Sequence, residues 1–268
     1  MNELTLDAPQ VRKLLTGFIF SQVTRAGLRR AVLGLSGGLD SALACFLAAE
    51  ALGPENVLAV RMPYRTSSPD SLADAQKVID ATGVRSLDVE ITPMAEPLFE
   101  RFPDMNNTRR GNVMARLRMI VLFDQSAAND ALVVGTGNKT EILLGYSTLY
   151  GDAAAAFNPL GDLYKTQVRQ LAAEMGVPAS IIAKPPSADL FVGQTDEGDL
   201  GYTYEQIDRL LYLLVDRRLT PEEAVAAGFE APMVRAIIER IRRNQFKRTT
   251  PPIAYLKFDV PGWDFVHV

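Results

Sequence analysis

The sequence predicts an α/β protein, built on a doubly wound parallel sheet of about five strands with flanking helices and a helical C-terminal part. In the first half of the 268-residue chain, short apolar runs alternate with segments of helical periodicity. This alternation is typical of parallel strands whose crossover helices cover both faces of a sheet. The second half is rich in loops and in helical periodicity, which predicts the helical C-terminal part.

Each predicted element follows from a local pattern of apolar residues and of residues that begin or end helices. Apolar runs predict strands at residues 31–35, 57–62 and 131–135, and alternation of polar and apolar residues predicts another at 86–91. Helical spacing predicts helices at residues 11–19, 40–52, 69–82, 112–128 and 163–175. Three of these helices are followed by a glycine, namely Gly53, Gly83 and Gly176. A further helix is predicted to begin at Thr220, which precedes a proline and stands three residues before Glu223.

Composition argues against several classes of function. A net charge of −4 provides no overall basic field, so nucleic acid is not expected as a partner. With Cys45 and His267 the only residues of their types, disulfides and Cys-based metal sites are excluded within the chain. The acidic N-terminus does not resemble a signal peptide, and no apolar run reaches the roughly 18 residues of a membrane span. We therefore expect a cytoplasmic protein with no membrane partner, in which Cys45 is a buried thiol.

The segment Ser36-Gly37-Gly38-Leu39-Asp40-Ser41, between a predicted strand and a predicted helix, has the features of a phosphate-binding loop. Its glycines allow amide N–H groups to approach an anion, and the helix adds unpaired N–H groups and a positive dipole end. The two serines can donate to phosphate oxygens, whereas Asp40 requires a cation such as Mg²⁺ between itself and phosphate. The alternative is a glycine-rich turn capped by Asp40. The predicted ATP-binding residues of this region are Gly34, Leu35, Ser36, Gly37, Gly38, Leu39, Asp40 and Ser41.

The loop is neither the lysine-containing P-loop nor the dinucleotide fingerprint. It resembles the loop of ATP pyrophosphatases, which cleave ATP between the α and β phosphates. Later segments resemble the synthetase domain of NAD synthetases over roughly residues 10 to 255. These segments are residues 135–141, 145–152, 159–168, 184–190, 194–197 and 246–248. Their order and spacing make the resemblance specific.

The resemblance implies one domain over residues 1–268 with an adenine nucleotide alpha-hydrolase-like core. The ATP-binding core is expected at about 10–185, a lid loop at about 186–201 and a helical segment at about 202–268. The lid is expected to exclude water from a reactive intermediate and to be disordered without ligand.

The implied activity is that of a ligase that amidates nicotinic acid adenine dinucleotide (deamido-NAD⁺). ATP adenylates the nicotinate carboxylate with loss of pyrophosphate, and ammonia then displaces AMP to form NAD⁺. Glutamine-dependent members carry an additional N-terminal amidase domain, whereas only about thirty residues precede the first predicted strand here. Ammonia is therefore the expected nitrogen donor, unless a separate chain supplies it. The resemblance further implies Mg²⁺ as the cofactor and a homodimer, for which the apolar face of the helix at 112–128 offers support.

Residue roles are carried over only at matching positions. Asp40 and Glu141 match the Mg²⁺ ligands, and carboxylates at the ends of the first and fourth strands would face one crevice. Asp40 and Lys165 match catalytic residues, with Lys165 opposing the charge of the departing pyrophosphate. The remaining matches are the ATP contacts Thr136, Lys165 and Ser187 and the deamido-NAD⁺ contacts Arg116 and Lys247. Without the resemblance, Glu141, Lys165 and Arg116 would be interpreted as surface charges of helices.

Three positions depart from some members of the family and leave the pose of the nicotinate end open. Leu149 replaces a lysine, Ala156 an acidic residue and Phe246 a histidine. Another ATP pyrophosphatase is one alternative, although a tRNA-modifying enzyme would need a basic surface and a thiolating enzyme paired cysteines. GMP synthetase would need its own dimerisation region and substrate pocket. A catalytically silent nucleotide sensor is the other alternative, and the joint presence of both carboxylates and Lys165 argues against it.

Overall fold

The fold is that of a computed structural model, which describes residues 4–187, 195–252 and 254. The strands in these residues are β1 (Arg30–Gly34), β2 (Val57–Arg61), β3 (Arg85–Asp88) and β4 (Ala131–Val133). The helices of the first half are α1 (Ala8–Arg25), α2 (Leu39–Leu52), α3 (Pro69–Thr82), α4 (Thr92–Arg101) and α5 (Asn107–Ala128). Those of the second half are α6 (Lys139–Leu144), α7 (Lys165–Glu174), α8 (Ala179–Ile182), α9 (Asp196–Leu200), α10 (Tyr204–Leu211), α11 (Pro221–Ala226) and α12 (Ala231–Arg243). Across these described stretches, no helix combines the length and apolar character that a membrane span needs.

The strands form one parallel sheet in the order β3-β2-β1-β4. In the register of the sheet, Val32 of β1 lies between Leu58 of β2 and Val133 of β4. The chain first moves from β1 outward to β3 and then returns to the other side of β1 with β4. The connections that follow β1 and β4 therefore leave in opposite directions, and they open a crevice at the carboxyl ends of these two strands.

Helices cover both faces of the sheet, which confirms the predicted doubly wound α/β class. Ala31 and Leu33 of β1 are buried in a cluster that includes residues of α2 and α7. Val32 is buried on the opposite face with Met114 and Val121 of α5. Because successive side chains of a strand point to opposite faces, a strand covered on both sides reads as a continuous apolar run.

The strand count differs from the prediction, since four strands rather than about five are formed by the described residues. Beyond β4, residues 156–157 occupy the edge position but contribute only an isolated bridge between Val134 and Phe157. One backbone hydrogen bond there runs from Gly135 N to Phe157 O over 2.8 Å. The pairing is too short to form a fifth strand, because β4 itself comprises only three residues.

The bounds of α2, α3 and α7 lie within two residues of the prediction, whereas α1 extends beyond the predicted 11–19 at both ends. Several helices were not predicted individually, among them α4, which contains Pro97 in its interior, and α6, which has only six residues. Helix α5 begins at Asn107 rather than at residue 112, because Asn106 caps it by accepting from Arg109 N at 3.0 Å. The predicted start of α11 is confirmed, with a reciprocal capping box between Thr220 and Glu223.

The predicted helical C-terminal part is formed by α10, α11 and α12, which pack around an apolar cluster of their own. Leu144 of α6 and Tyr164, just before α7, belong to the same cluster, so this part is attached beside the crevice. Residues 255–268 of this part lie outside the described residues. So do residues 188–194 of the predicted lid, whereas residues 196–200 of the lid form α9.

Candidate active site

A cavity of about 820 Å³ lies at the carboxyl ends of β1, β2 and β4. This volume is in the range of sites that hold a drug-sized ligand. Its walls come from the sheet, from the segments that follow β1 and β4, and from α12 and Lys247 in the C-terminal part. Among the predicted site residues, all except Gly37 and Arg116 line it.

The predicted phosphate loop forms the turn between β1 and α2. Ser41 Oγ lies 3.0 Å from Ser36 Oγ and accepts a hydrogen bond from Ser36 N at 3.2 Å. Gly37 has φ 79°, and a Cβ there would lie 2.1 Å from the carbonyl oxygen of Ser71, so only glycine fits. In the described part of the chain, no side chain caps the first turn of α2, which begins at Leu39, so its amide N–H groups can receive an anion.

Lys165 lies between the carboxylates of Asp40 and Glu141. Its Nζ forms a short ion pair with Asp40 and lies 3.4 Å from Glu141 Oε1. The three residues stand in the first turns of α7, α2 and α6 respectively, so three helix N-termini converge at the crevice. The lysine side chain is only 4% exposed, which requires that its charge be balanced by nearby carboxylates.

Burial and proximity set the ionisation of this triad. Burial raises the pKa of Glu141 to about 8, and the neighbouring charge of Asp40 adds to the increase. For Lys165, burial lowers the pKa, but the charges of Asp40 and Glu141 outweigh it and the net shift is upward. Lys165 therefore keeps its proton and provides a fixed positive charge in the cavity.

The C-terminal part completes the surroundings of Lys165. The lysine Nζ lies 5.2 Å from the centre of the Tyr204 ring on α10. Tyr204 Oη donates to Asp196 Oδ2 over 3.1 Å, and Tyr146 Oη donates to Asp196 Oδ1 over 3.2 Å. The start of α9 is thus joined to the helix that packs on the lysine.

Thr136, Ser187 and Lys247, for which the sequence predicts ATP or substrate contacts, also lie on the cavity wall. Thr136 follows β4, and Ser187 is exposed where the segment after α8 ends its described part. Lys247 Nζ donates to the carbonyl oxygens of Gly145 and Ser147, each over 2.7 Å. These two bonds use two of the three hydrogens of the ammonium group.

Arg116 does not line the cavity. It is exposed on α5, where its Nη2 donates to the carbonyl oxygen of Leu149 over 3.2 Å. Arg118 lines the cavity instead, with its Nε donating to Met62 O over 3.0 Å. Residues two apart on a helix do not share a face, so the two arginines have different surroundings.

Sequence reasoning missed polar residues that lie at or beside the cavity. Asn138 caps α6 and donates from Nδ2 to Asp40 Oδ1 over 2.8 Å. Its spacing to Glu141 has the form of a capping box, which was a usable signal. Lys184 Nζ lies 2.9 Å from Asp74 Oδ2 on α3, and no local sequence pattern predicts this contact.

The triad fits a hard divalent cation that is completed by substrate. Mg²⁺ prefers oxygen ligands and is commonly held by one or two carboxylates together with phosphate oxygens. Asp40 and Glu141 provide two such carboxylates at the cavity. Among the described residues, no group of three or more Asp, Glu, His and Cys side chains could hold a metal alone. A cation here would therefore depend on phosphate oxygens.

Known proteins resemble this chain over nearly its full length. The NAD synthase family model matches residues 11–251. The NH(3)-dependent NAD(+) synthetase of Trichlorobacter lovleyi is 57% identical over 254 residues, which cover 95% of this chain and 93% of that protein. The enzyme of the same name from Chlorobium phaeobacteroides is 50% identical over 262 residues, covering 98% of this chain and 95% of that protein.

Solved structures share the fold. The NH3-dependent NAD synthetase from Campylobacter jejuni, solved with a nitrate ion, has a TM-score of 0.80 at 32% identity, covering 94% of this chain and all of that chain. The NMN synthetase from Francisella tularensis has a TM-score of 0.83 at 29% identity, covering 93% of this chain and 99% of that chain. Because the family model, the relatives and the fold agree over about nine-tenths of its length, the protein belongs to the NAD synthase family.

Proposed function

We propose that this protein is an ammonia-dependent NAD⁺ synthetase. It amidates deamido-NAD⁺ with ammonia, using ATP as the cosubstrate, and releases NAD⁺, AMP and pyrophosphate. The observation that carries the proposal is the position of Lys165 between Asp40 and Glu141, in the same cavity as the phosphate loop. The relatives from Trichlorobacter lovleyi and Chlorobium phaeobacteroides carry the name of this activity.

In the first step, an oxygen of the nicotinate carboxylate attacks the α-phosphorus of ATP and the bond to the β-phosphate breaks. No general base is needed, since the carboxylate is already ionised at neutral pH. The backbone N–H groups of the phosphate loop and the ammonium of Lys165 oppose the negative charge of the leaving pyrophosphate. This chain therefore contributes alignment and fixed charge.

In the second step, ammonia attacks the carboxyl carbon of the adenylate, and the bond to AMP breaks. AMP departs with the electron pair of the broken bond, and the nitrogen gives up one proton to the phosphate of AMP or to solvent as the amide forms. Water must be excluded, because it would return the adenylate to the starting acid. The predicted lid at 186–201 would exclude water from the adenylate. The lid itself stays a prediction, and so does the division of the chain at residues 185 and 201.

Asp40 and Glu141 are the residues that we assign to Mg²⁺. When bound, Mg²⁺ neutralises phosphate charge in reactions of this type. With ATP present, added Mg²⁺ should raise the melting temperature of the wild type but not that of Asp40→Asn. An equal shift in both proteins would remove Asp40 from the metal site.

A second copy of the chain is the proposed partner, and α5 is the proposed contact. Ile120 and Phe123 on this helix are 56% and 42% exposed. Arg116 precedes Ile120 by one helical turn, so the three residues share a face. A substrate contact of Arg116 would then be made from the subunit interface rather than from its own cavity.

Light scattering at several protein concentrations tests this assembly. The wild type should have the mass of a dimer, and Ile120→Asp should reduce it to that of a monomer. Val225→Asp, at another exposed apolar position on α11, is the control and should leave the mass unchanged. A wild type that is monomeric at all concentrations would contradict the assembly.

The cytoplasmic location of the protein stays a prediction.

A direct assay tests the reaction. The protein is incubated with Mg-ATP, deamido-NAD⁺ and either ammonium or glutamine, and NAD⁺ and AMP are measured together. Equal amounts of both products with ammonium, and little with glutamine, are expected. If neither NAD⁺ nor AMP forms at a high concentration of ammonium, the proposal is refuted. A parallel arm with nicotinic acid mononucleotide tests the alternative substrate suggested by the Francisella tularensis NMN synthetase.

A further inference from the structure

The backbone at the start of α7 is held by two side chains that come from other helices. Thr140 Oγ1 of α6 accepts a hydrogen bond from Lys165 N over 3.1 Å. The carboxylate of Asp208 on α10 accepts from Thr140 Oγ1 over 2.6 Å and from Thr166 N over 2.8 Å. We call Asp208, Thr140 and the amides of Lys165 and Thr166 the α7 clasp.

We propose that the α7 clasp positions Lys165: Asp208 and Thr140 hold the backbone of the lysine so that its ammonium lies against Asp40 and Glu141. This inference rests on the proposed function. Lys165 is the first residue of α7, so a shift of that turn moves its ammonium directly. Thr140 also immediately precedes Glu141, so one hydroxyl links the lysine backbone to the carboxylate that it faces.

Each of the three donors in the α7 clasp has one acceptor. The Thr140 hydroxyl gives its hydrogen to Asp208 Oδ1, which leaves its oxygen to accept from Lys165 N. The other oxygen of Asp208 accepts from Thr166 N. A carboxylate accepts only, so it fixes the direction of the Thr140 hydroxyl, whereas an amide could also donate. The clasp therefore has a single hydrogen-bonding arrangement.

A buried acid at position 208 costs stability unless other groups compensate for its charge. Asp208 is completely buried, and within residues 4–187 and 195–252 no ion pair includes it. A buried carboxylate without a cation is costly, although the positive end of a helix dipole offsets part of the cost. The carboxylate lies at the N-terminus of α7, whose own N-cap residue, Tyr164, makes no side-chain capping bond. Asp208 thus serves as a capping group supplied by a distant helix.

The same helix contacts both ends of Lys165. Asp208 acts at the backbone through Thr140, and Tyr204, one turn earlier on α10, places its ring 5.2 Å from Nζ. The C-terminal part therefore positions a residue of the ATP site although it contributes no residue to the phosphate loop. Asp208 and Thr140 are positioning residues, since neither lines the cavity.

The test compares Thr140→Val with Thr140→Ser in two backgrounds, the wild type and Lys165→Met. Valine preserves the volume but loses both hydrogen bonds, whereas serine preserves the hydroxyl. In the wild-type background we expect kcat to fall about 10- to 100-fold in Thr140→Val, with little change in the KM for deamido-NAD⁺. Thr140→Ser should restore most of the rate. In the Lys165→Met background, single-turnover AMP formation should fall by less than about twofold on adding Thr140→Val, because the lysine it acts through is already gone.

A kcat of Thr140→Val close to that of the wild type would overturn the inference. So would an equal loss in both backgrounds, which would show that Thr140 acts independently of Lys165. If Thr140→Val does not fold, Asp208→Asn replaces it, and a wild-type kcat in that variant would likewise overturn the inference. Thr220→Val, which removes the cap of α11, is the control and should lower the melting temperature without changing kcat. NAD⁺ formation by the wild type is measured first, since its absence would refute the proposed function rather than the α7 clasp.

Discussion

Asn138 Nδ2 lies 2.8 Å from Asp40 Oδ1 and thereby connects the segment after β4 to the start of α2. The side-chain oxygen of Asn138 accepts from Glu141 N over 3.0 Å, so one amide serves the positions of both proposed metal ligands. Asn138 is completely buried, so water cannot substitute for either hydrogen bond. The relative position of the two carboxylates therefore depends on Asn138, which belongs neither to the phosphate loop nor to the triad of Asp40, Glu141 and Lys165.

Substitution of Asn138 can separate capping from placement of Asp40. Asn138→Asp retains an acceptor for Glu141 N but replaces the donor to Asp40 with a negative charge. We expect kcat to fall about 100-fold or more while the cap of α6 persists. Thr220→Ala removes a comparable cap at α11 and should cost about 1 kcal/mol of stability with normal turnover. Comparable turnover of Asn138→Asp and the wild type would contradict this role.

Asp40→Asn should abolish most turnover and leave the fold intact. Asparagine matches aspartate in shape but cannot balance the charge of Lys165 or bind a cation strongly. We expect a loss of about 100- to 1000-fold in AMP formation. Asp80→Asn, an exposed position on α3, is the matched control and should be unchanged. Retained activity in Asp40→Asn would remove this residue from the site.

Lys165→Met should lower both activity and stability. It leaves two partly buried carboxylates without their shared cation, which costs about 3 kcal/mol when a buried ion pair loses one partner. Lys139→Met is a matched control, since Lys139 Nζ lies 2.8 Å from Asp216 and 3.1 Å from Asp162, neither of which belongs to the triad. The control should lose stability in urea unfolding but keep its rate of NAD⁺ formation. Loss of activity in both variants to the same extent would show that charge removal itself, rather than the triad, is responsible.

Stability without metal should depend on pH through Glu141. Burial and the charge of Asp40 raise its pKa from 4.5 to about 8, so between these values the folded state holds a proton that the unfolded state has lost. The free energy of unfolding should therefore fall as pH rises from about 4.5 to 8, with a slope of up to about 1.4 kcal/mol per pH unit from this group. Glu141→Gln should flatten that slope in urea titrations with a chelator present. An identical slope in the variant would assign the pH dependence to other groups.

Local pattern was sufficient for much of the fold. The apolar runs that became β1 and β2 and the glycines of the phosphate loop are contiguous in sequence, so each predicts its structure without knowledge of distant contacts. Helix α4, with Pro97 in its interior, and the short α6 lack such a signal, because tertiary packing stabilises them rather than their own periodicity. The predicted count of about five strands was wrong, because pairing at the edge beside Val134 depends on how a distant segment returns to the sheet.

The sequence by itself determined the fold class, the phosphate loop and, through its resemblance to NAD synthetases, the identity of Asp40, Glu141 and Lys165. Only the tertiary structure decided how they meet, since the hydrogen bond from Lys165 to Asp40 spans 125 positions and the one from Thr166 to Asp208 spans 42. It also placed Arg116 outside the cavity. Periodicity reports which face of an element is buried, but the partner of a buried polar group depends on the packing of elements that are remote in the chain.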